Sequence, residues 1–227
     1  MIQRLAVSPI YLRIATAFQV DKQTRKRFED EIGSGSIKIV AEKESKFSIY
    51  AYGDNVTGEE HIAIVKSIDN GLDVPVRVHS SCITAEVFHA SNCDCREQLD
   101  TALELIEKEG RGAVLWLHQE GRGNGLAAKI KQLDIMLSDG LDTVSAFEKA
   151  GYPADRRDYS VAADILRDLG IRSIRLITNN PDKLKQLSEL GIEVTGRIPC
   201  EISPANEVVK KDLKARKEKL GHFLKGI

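Results

Sequence analysis

From residue 95 to residue 198 the chain alternates stretches of helical period with short apolar runs, and helices packed on a largely parallel sheet are the main architecture that accepts this pattern. Leu99, Ala102, Leu103 and Ile106 fall at i, i+3, i+4 and i+7, with Asp100, Glu104, Glu107 and Lys108 opposite and Gly110 as the stop. Residues 113–117 form a short continuous apolar run, suited to a strand covered on both faces. A loop over 121–125 leads to a helix over 126–137, ending near Ser138-Asp139-Gly140. A third helix is expected over 159–169, with Ala162, Ile165, Leu166 and Leu169 on one face. Residues 173–178 make the next strand, Asn180 caps a helix opened by Pro181, with Leu184 and Leu187 inward, and 192–198 completes a β-α-β unit. The basic amphipathic stretch 207–223 reads as a packed terminal helix, with Val209, Leu213, Leu220 and Leu224 as its stripe, rather than a membrane-surface helix.

Upstream the pattern is β-type. Runs at 37–40, 46–52, 61–65 and 74–79, with turn signals at Gly53-Asp54-Asn55 and Asp69-Asn70-Gly71, predict an antiparallel meander. The fold class is therefore α+β or mixed α/β, with one main domain over 37–227 behind an N-terminal extension of 1–36. In that extension the charged run 21–31 reads as an exposed helix and 33–36 as its terminating loop. With 227 residues, 42% of them hydrophobic, the chain is long enough for a substantial core. A net charge of -1 confines any phosphate recognition to a local site and argues against nucleic acid as a partner. Arg4, Pro9 and Arg13 interrupt the N-terminal apolar residues, so neither a signal sequence nor a membrane span of ~20 residues is expected. The expected location is cytoplasmic.

The chemistry concentrates between Cys82 and Arg122. Cys82, ten intervening residues and Cys93-Asp94-Cys95 place three soft ligands close together, which points to zinc rather than to a disulfide framework. Three protein ligands leave zinc an open position for hydrolytic chemistry. A fourth from Cys200, His79 or His89 would make the site structural. Gly123-x-Gly125-x-x-Ala128, with Asp142 downstream, fits a loose dinucleotide fingerprint, but Glu120 and Arg122 at its entrance are better suited to direct substrate contact. Thr178-Asn179-Asn180-Pro181-x-Lys183 is a second strand-to-helix junction able to receive phosphate or a purine edge. Asp155-Arg156-Arg157-Asp158 precedes a helix. It is either a charged cap or an acid/base paired with a phosphoryl-binding arginine.

Together, Arg77-Val78-His79-Ser80, the cysteine cluster with Gln98, Gln119-Glu120-Gly121-Arg122, Asp142-Thr143-Val144, Asp155-x-Arg157-Asp158 and the Thr178–Lys183 segment resemble GTP cyclohydrolase II. The resemblance runs from about Phe47 to Lys219-Leu220-Gly221-His222. It implies zinc-dependent opening of the guanine imidazole ring of GTP at C8, loss of formate, and release of pyrophosphate, giving a ribosylaminopyrimidine 5'-phosphate for riboflavin synthesis. It also implies a homodimer and Mg²⁺ on the triphosphate. Carried over, Cys82, Cys93 and Cys95 would bind zinc, Asp155 would accept a proton and Arg157 would attack the α-phosphorus. Arg77, Val78, His79, Ser80, Ser81, Gln98, Glu120, Gly121, Arg122, Thr143, Thr178 and Lys183 would hold GTP.

The chain departs from that pattern at four points. Ser81 stands where the family has Glu, Arg96 where it has Gly, His118 where Arg is common, and Leu133 where a tyrosine follows the glycine loop. Without that phenol, one expectation is a variant that opens the ring and stops at the formylated pyrimidine. Readings from other classes are a non-catalytic nucleotide-binding protein with structural zinc and a Rossmann-type dinucleotide enzyme.

Overall fold

The computed structural model describes residues 1–17 and 40–227. The expected helix over 21–31, the loop over 33–36 and the strand over 37–39 lie outside the described residues. One seven-stranded sheet organises the rest, in the order β1-β2-β3-β5-β4-β6-β7. Its antiparallel part comprises β1 (Ile2–Ala17), β2 (Val40–Asp54) and β3 (Glu60–Ser67), with β3 also antiparallel to β5 (Gly112–Leu117). Its parallel part is β5, β4 (Val74–Ser80), β6 (Ser173–Ile177) and β7 (Glu193–Ile198). The mixed α/β class is as read from the sequence.

Two features differ from the sequence reading. Residues 2–17, taken as part of an extension, form an edge strand paired with β2 from Ile2↔Asp54 to Ala17↔Val40. Pro9 is tolerated there because an edge strand needs no amide on its open side. The meander stops at β3. β4, expected as its last strand, lies between β5 and β6 and runs parallel to both. Its first six residues are buried, as in a central strand covered on both faces.

Helix α1 is Ile83–Glu86, α2 Cys95–Glu109, α3 Leu126–Ser138, α4 Thr143–Lys149, α5 Ser160–Asp168, α6 Pro181–Glu189 and α7 Glu207–Leu220. On one face of the sheet, α5 and α6 bury Ala162, Ile165, Leu166 and Leu187 against Val76, Val78, Ala113 and Leu115. On the other, α2 packs Ala102 and Ile106 against Phe47, Val114 and Ile177. Val114 thus points opposite to Ala113 and Leu115, the period of two that a strand imposes. α7 buries Val209 and Leu213, as expected of a packed terminal helix, but Leu224 reaches that cluster from the tail beyond the helix.

The parallel half fixes where chemistry can occur. β4, β5 and β6 run the same way, so Ser80, Leu117 and Ile177 end at one edge, and the crevice beyond the carboxyl ends of parallel strands is the usual ligand site. The segments leaving those ends are Ser81-Cys82, His118–Arg122 and Thr178–Lys183, which hold most of the residues singled out in the sequence.

Candidate active site

The three sulfurs of Cys82, Cys93 and Cys95 lie within 4.8 Å of one another, and those of Cys82 and Cys93 are 3.7 Å apart. A tetrahedral zinc with sulfur at ~2.3 Å has edges of roughly 3.8 Å, so the cluster fits the ion with little movement. Among the described residues no fourth His, Cys, Asp or Glu joins the group. Cys200 points its thiol at the Gln98 carbonyl instead, 3.7 Å away, and the His79 Nε2 pairs with Glu86 at 2.9 Å. Hydrogen bonds from Cys93 and Cys95, and then the Lys129 ammonium, drive the Cys82 thiol far below its ordinary range, while Cys93 is pushed up to about 11 by its bond to Cys82. Three thiolates on a divalent ion leave one negative charge. Lys129 donates to Cys82 Sγ and to Glu120 Oε1, both at 2.8 Å, and so sets an ammonium against it.

The loops around the cluster hold it in place. Glu86 Oε1 accepts from the Cys82 amide and its Oε2 from the Trp116 indole, at 2.9 and 2.7 Å. Asp94, between two of the cysteines, takes Arg216 on one oxygen at 2.9 Å and Gln98 on the other at 2.5 Å. Gln98 in turn accepts from Arg77 at 2.5 Å.

Glu120 is engaged by Lys129, by its neighbouring Gly121 amide and by the Ile83 amide, so it braces the glycine loop against the metal loop. The glycines have a packing reason. A Cβ on Gly121 would come 2.5 Å from the Gly125 carbonyl, and one on Gly123 3.1 Å from the Arg156 backbone. The loop is folded onto neighbouring chain, unlike a dinucleotide fingerprint whose backbone faces pyrophosphate. Arg122, at φ 55°, carries its side chain into the cavity and leaves Nη1 without a partner.

One cavity joins these parts. Arg77, His79, Ser80, Ser81, Gln98, Glu120, Gly121, Arg122, Thr143, Arg157, Thr178 and Lys183 line it beside the cysteines. Two of the residues named from the sequence stand differently. The Val78 side chain lies in the core, and Val78 contributes its carbonyl, which accepts from Lys183 at 2.7 Å. Asp155 stands behind Arg157, its carboxylate bonded to the Arg157 Nε at 2.9 Å and to Nη2. Burial opposes charge on Arg157, but Tyr159 and Asp155 raise it above its ordinary value; burial likewise opposes charge on Asp155, but Arg157 holds it below the usual carboxylate range. Lys183 is depressed well below its ordinary value, by burial first and then by Arg77 and Arg157. Arg122 falls to about 10 for the same reasons, burial and then Arg216 and Arg157. Like charges crowded in a buried space favour a polyanionic guest.

Sequence reasoning missed several wall residues. Lys129, Gln132 and Met136 enter from α3, Phe147 from α4, and Leu213, Arg216, His222 and Leu224 from the C-terminal segment. Lys129 was legible only in part: four residues after Gly125, at the start of a helix, it faces back over the loop.

His222 is held down to about 3, by burial first and then by Arg216, Arg122, Arg157 and Lys183, against an ordinary 6.5. Below pH 6.5 the unfolded chain takes up a proton that the folded chain refuses, so this group's contribution to stability falls as pH drops toward 3. The loss is at most about 1.4 kcal/mol per pH unit. In the metal-stripped protein the melting temperature is expected to fall between pH 7 and pH 5, and His222→Gln to reduce that fall. An identical fall in both proteins would place the acid sensitivity elsewhere.

Comparison with known proteins agrees with this geometry. The family model described as GTP cyclohydrolase II matches residues 35–199. The riboflavin biosynthesis protein RibBA of Aquifex aeolicus (strain VF5) is 49% identical over 179 residues, 78% of this chain and 44% of that protein. RibBA of Bacillus mycoides (strain KBAB4) is 48% identical over 179 residues, and that of Endomicrobium trichonymphae 46% over 182, each alignment covering 45% of the relative. The chain therefore spans less than half the length of these curated relatives. Among solved structures, a two-domain 3,4-dihydroxy-2-butanone 4-phosphate synthase from A. baumannii aligns over 87% of this chain and 40% of that one, with a TM-score of 0.38 at 17% identity. A family model matched over most of the chain, and the three-cysteine cluster at the mouth of the parallel sheet, place this protein in the GTP cyclohydrolase II family.

Proposed function

We propose that this chain hydrolyses GTP, opening the guanine imidazole ring at C8 and releasing pyrophosphate and formate, with Cys82, Cys93 and Cys95 holding zinc. The observation that carries the reading is three sulfurs at tetrahedral spacing facing a cavity that also presents Arg77, Arg122, Arg157 and Lys183. Bound there, zinc would supply Lewis acidity to the attacking water. Lys129 offsets the charge of the sulfurs. Arg122, Arg157 and Lys183 receive the triphosphate, on which Mg²⁺, when bound, would supply further neutralisation. Gln98 and Thr178, which also line the cavity, orient the nucleotide. Arg157, bidentate to Asp155, acts as a clamp on the α-phosphoryl group, and Asp155 fixes its direction. The proposal includes a homodimer working in the cytoplasm, with the product entering the riboflavin route named for the relatives.

A second reading rests on one observation. Leu133 lines the cavity together with Met136 and Phe147, giving an apolar wall where a proton-donating group would serve the second hydrolysis. On that reading the enzyme opens the ring, releases pyrophosphate and retains the formyl group. Incubation with GTP and Mg²⁺, with formate and pyrophosphate measured separately, decides between them. Equal amounts of both products support complete hydrolysis, whereas pyrophosphate without formate supports the formylated product. Leu133→Tyr would then be expected to raise formate yield. Failure to consume GTP at all would overturn the enzymatic reading and leave a nucleotide-binding protein.

A further inference from the structure

The C-terminal segment lies beyond the residues that the family model matches, which end at 199, yet it closes one side of the cavity. Four ties fix it around the rim. Asn206 caps α7 and donates to the Ser91 carbonyl at 2.7 Å, beside the metal loop. Arg216 binds Asp94 between two of the cysteines at 2.9 Å. Lys219 binds Asp142, the cap of α4, at 2.7 Å. Beyond the helix, the Phe223 amide donates to the Asn179 carbonyl at 2.8 Å, at the mouth of β6. The segment thus spans from the metal loop to the β6–α6 junction.

Arg216 is the charged group that this wall brings inward. Its side chain is 12% exposed, Nη1 and Nη2 are taken by Asp94 and Asp212, and Nε is buried without a partner. The Asp94 and Asp212 carboxylates hold the guanidinium in one orientation and leave its Nε–H as the donor without a partner. Arg122, also short of a partner at Nη1, feels the Arg216 charge directly. A purely structural tie to Asp94 would not need the arginine to line the cavity or to sit with a second guanidinium that also leaves one nitrogen without a partner.

We propose that Arg216 is a substrate-binding residue, the guanidinium through which the C-terminal wall holds the phosphate chain of the nucleotide. This rests on the reading of the cavity as a GTP site, and the test separates the two. The zinc-loaded full chain is titrated calorimetrically with inorganic tripolyphosphate and, separately, with guanosine. Arg216→Gln is expected to weaken tripolyphosphate binding about tenfold to a hundredfold, the loss of a charge-assisted contact, while guanosine affinity and zinc content stay level. Arg216→Lys should recover part of it.

Because the first variant strands two buried carboxylates, the double variant Asp212→Asn/Arg216→Gln, which removes one charge of each sign, is measured beside it and should show the same loss. Tripolyphosphate affinity within about twofold of wild type in a folded variant, or an equal loss of guanosine affinity, would overturn the assignment. Wild-type protein that takes tripolyphosphate through Arg216 but neither binds nor consumes GTP would support the anion role and overturn the GTP reading.

Discussion

Cys93→Ser is expected to lose zinc and GTP ring opening together. A serine hydroxyl stays protonated at neutral pH and is a poor zinc ligand, and two sulfurs cannot hold the ion in the geometry that three at 4.8 Å or less provide. Metal content should fall from one equivalent toward none. Turnover should fall by at least about a thousandfold, the several kcal/mol that a Lewis acid contributes. Cys93 is half-buried at the edge of the site, so the sheet should survive the change, and a far-ultraviolet spectrum matching wild type is part of the expected result. Cys200→Ser is the control. That thiol is buried beside the Gln98 carbonyl, outside the cluster, and its removal should leave zinc content unchanged. Full zinc and full turnover in Cys93→Ser would move the metal elsewhere.

The sequence was most legible where local pattern and tertiary placement agree. Leu99, Ala102, Leu103 and Ile106 announce α2, and Gly110 ends it in the left-handed conformation. The cysteine cluster was readable because few other roles demand three thiols at that spacing. Strand partners were less legible. β4 looks like the continuation of a meander, since alternation says nothing about which neighbour a strand chooses, and the parallel partners β5 and β6 come 30 or more residues later. β1 carries period-two apolar residues at Ile10, Leu12 and Ile14, packed on the α2 side of the sheet, but Pro9 and the flanking arginines hide them. Helix α4 was missed because seven residues give barely two turns of periodicity, although Asp142, which accepts from the Val144 and Ser145 amides at 3.1 Å, is an ordinary N-cap. Candidate residues on the parallel edge that line the cavity were legible through their motifs. Lys129, Arg216 and His222 were not, because their meaning depends on α3 and the C-terminal segment folding back over a cavity built by residues far away in the chain.

Arg157→Ala is expected to cost pyrophosphate release about a hundredfold to a thousandfold, the range for removing one preorganised donor from a developing charge, with zinc retained. The geometry favours a clamp over a covalent nucleophile. Both Nε and Nη2 of Arg157 are committed to Asp155, and the resulting charge is one that Asp155 and Tyr159 stabilise against burial. A guanidinium held protonated has no lone pair to offer phosphorus, whereas its Nη1 side, not bonded to Asp155, can still donate to phosphoryl oxygens. On the proposed GTP reaction, water is then the expected nucleophile at the α-phosphorus, with pyrophosphate as the leaving group. Arg157→Lys, which keeps the charge and loses the fork, should recover part of the rate. Rapid quenching with GTP labelled at the α-phosphate should leave the wild-type protein unlabelled. Label bound to the protein in wild type and absent from Arg157→Lys would reverse this assignment and make Arg157 the nucleophile.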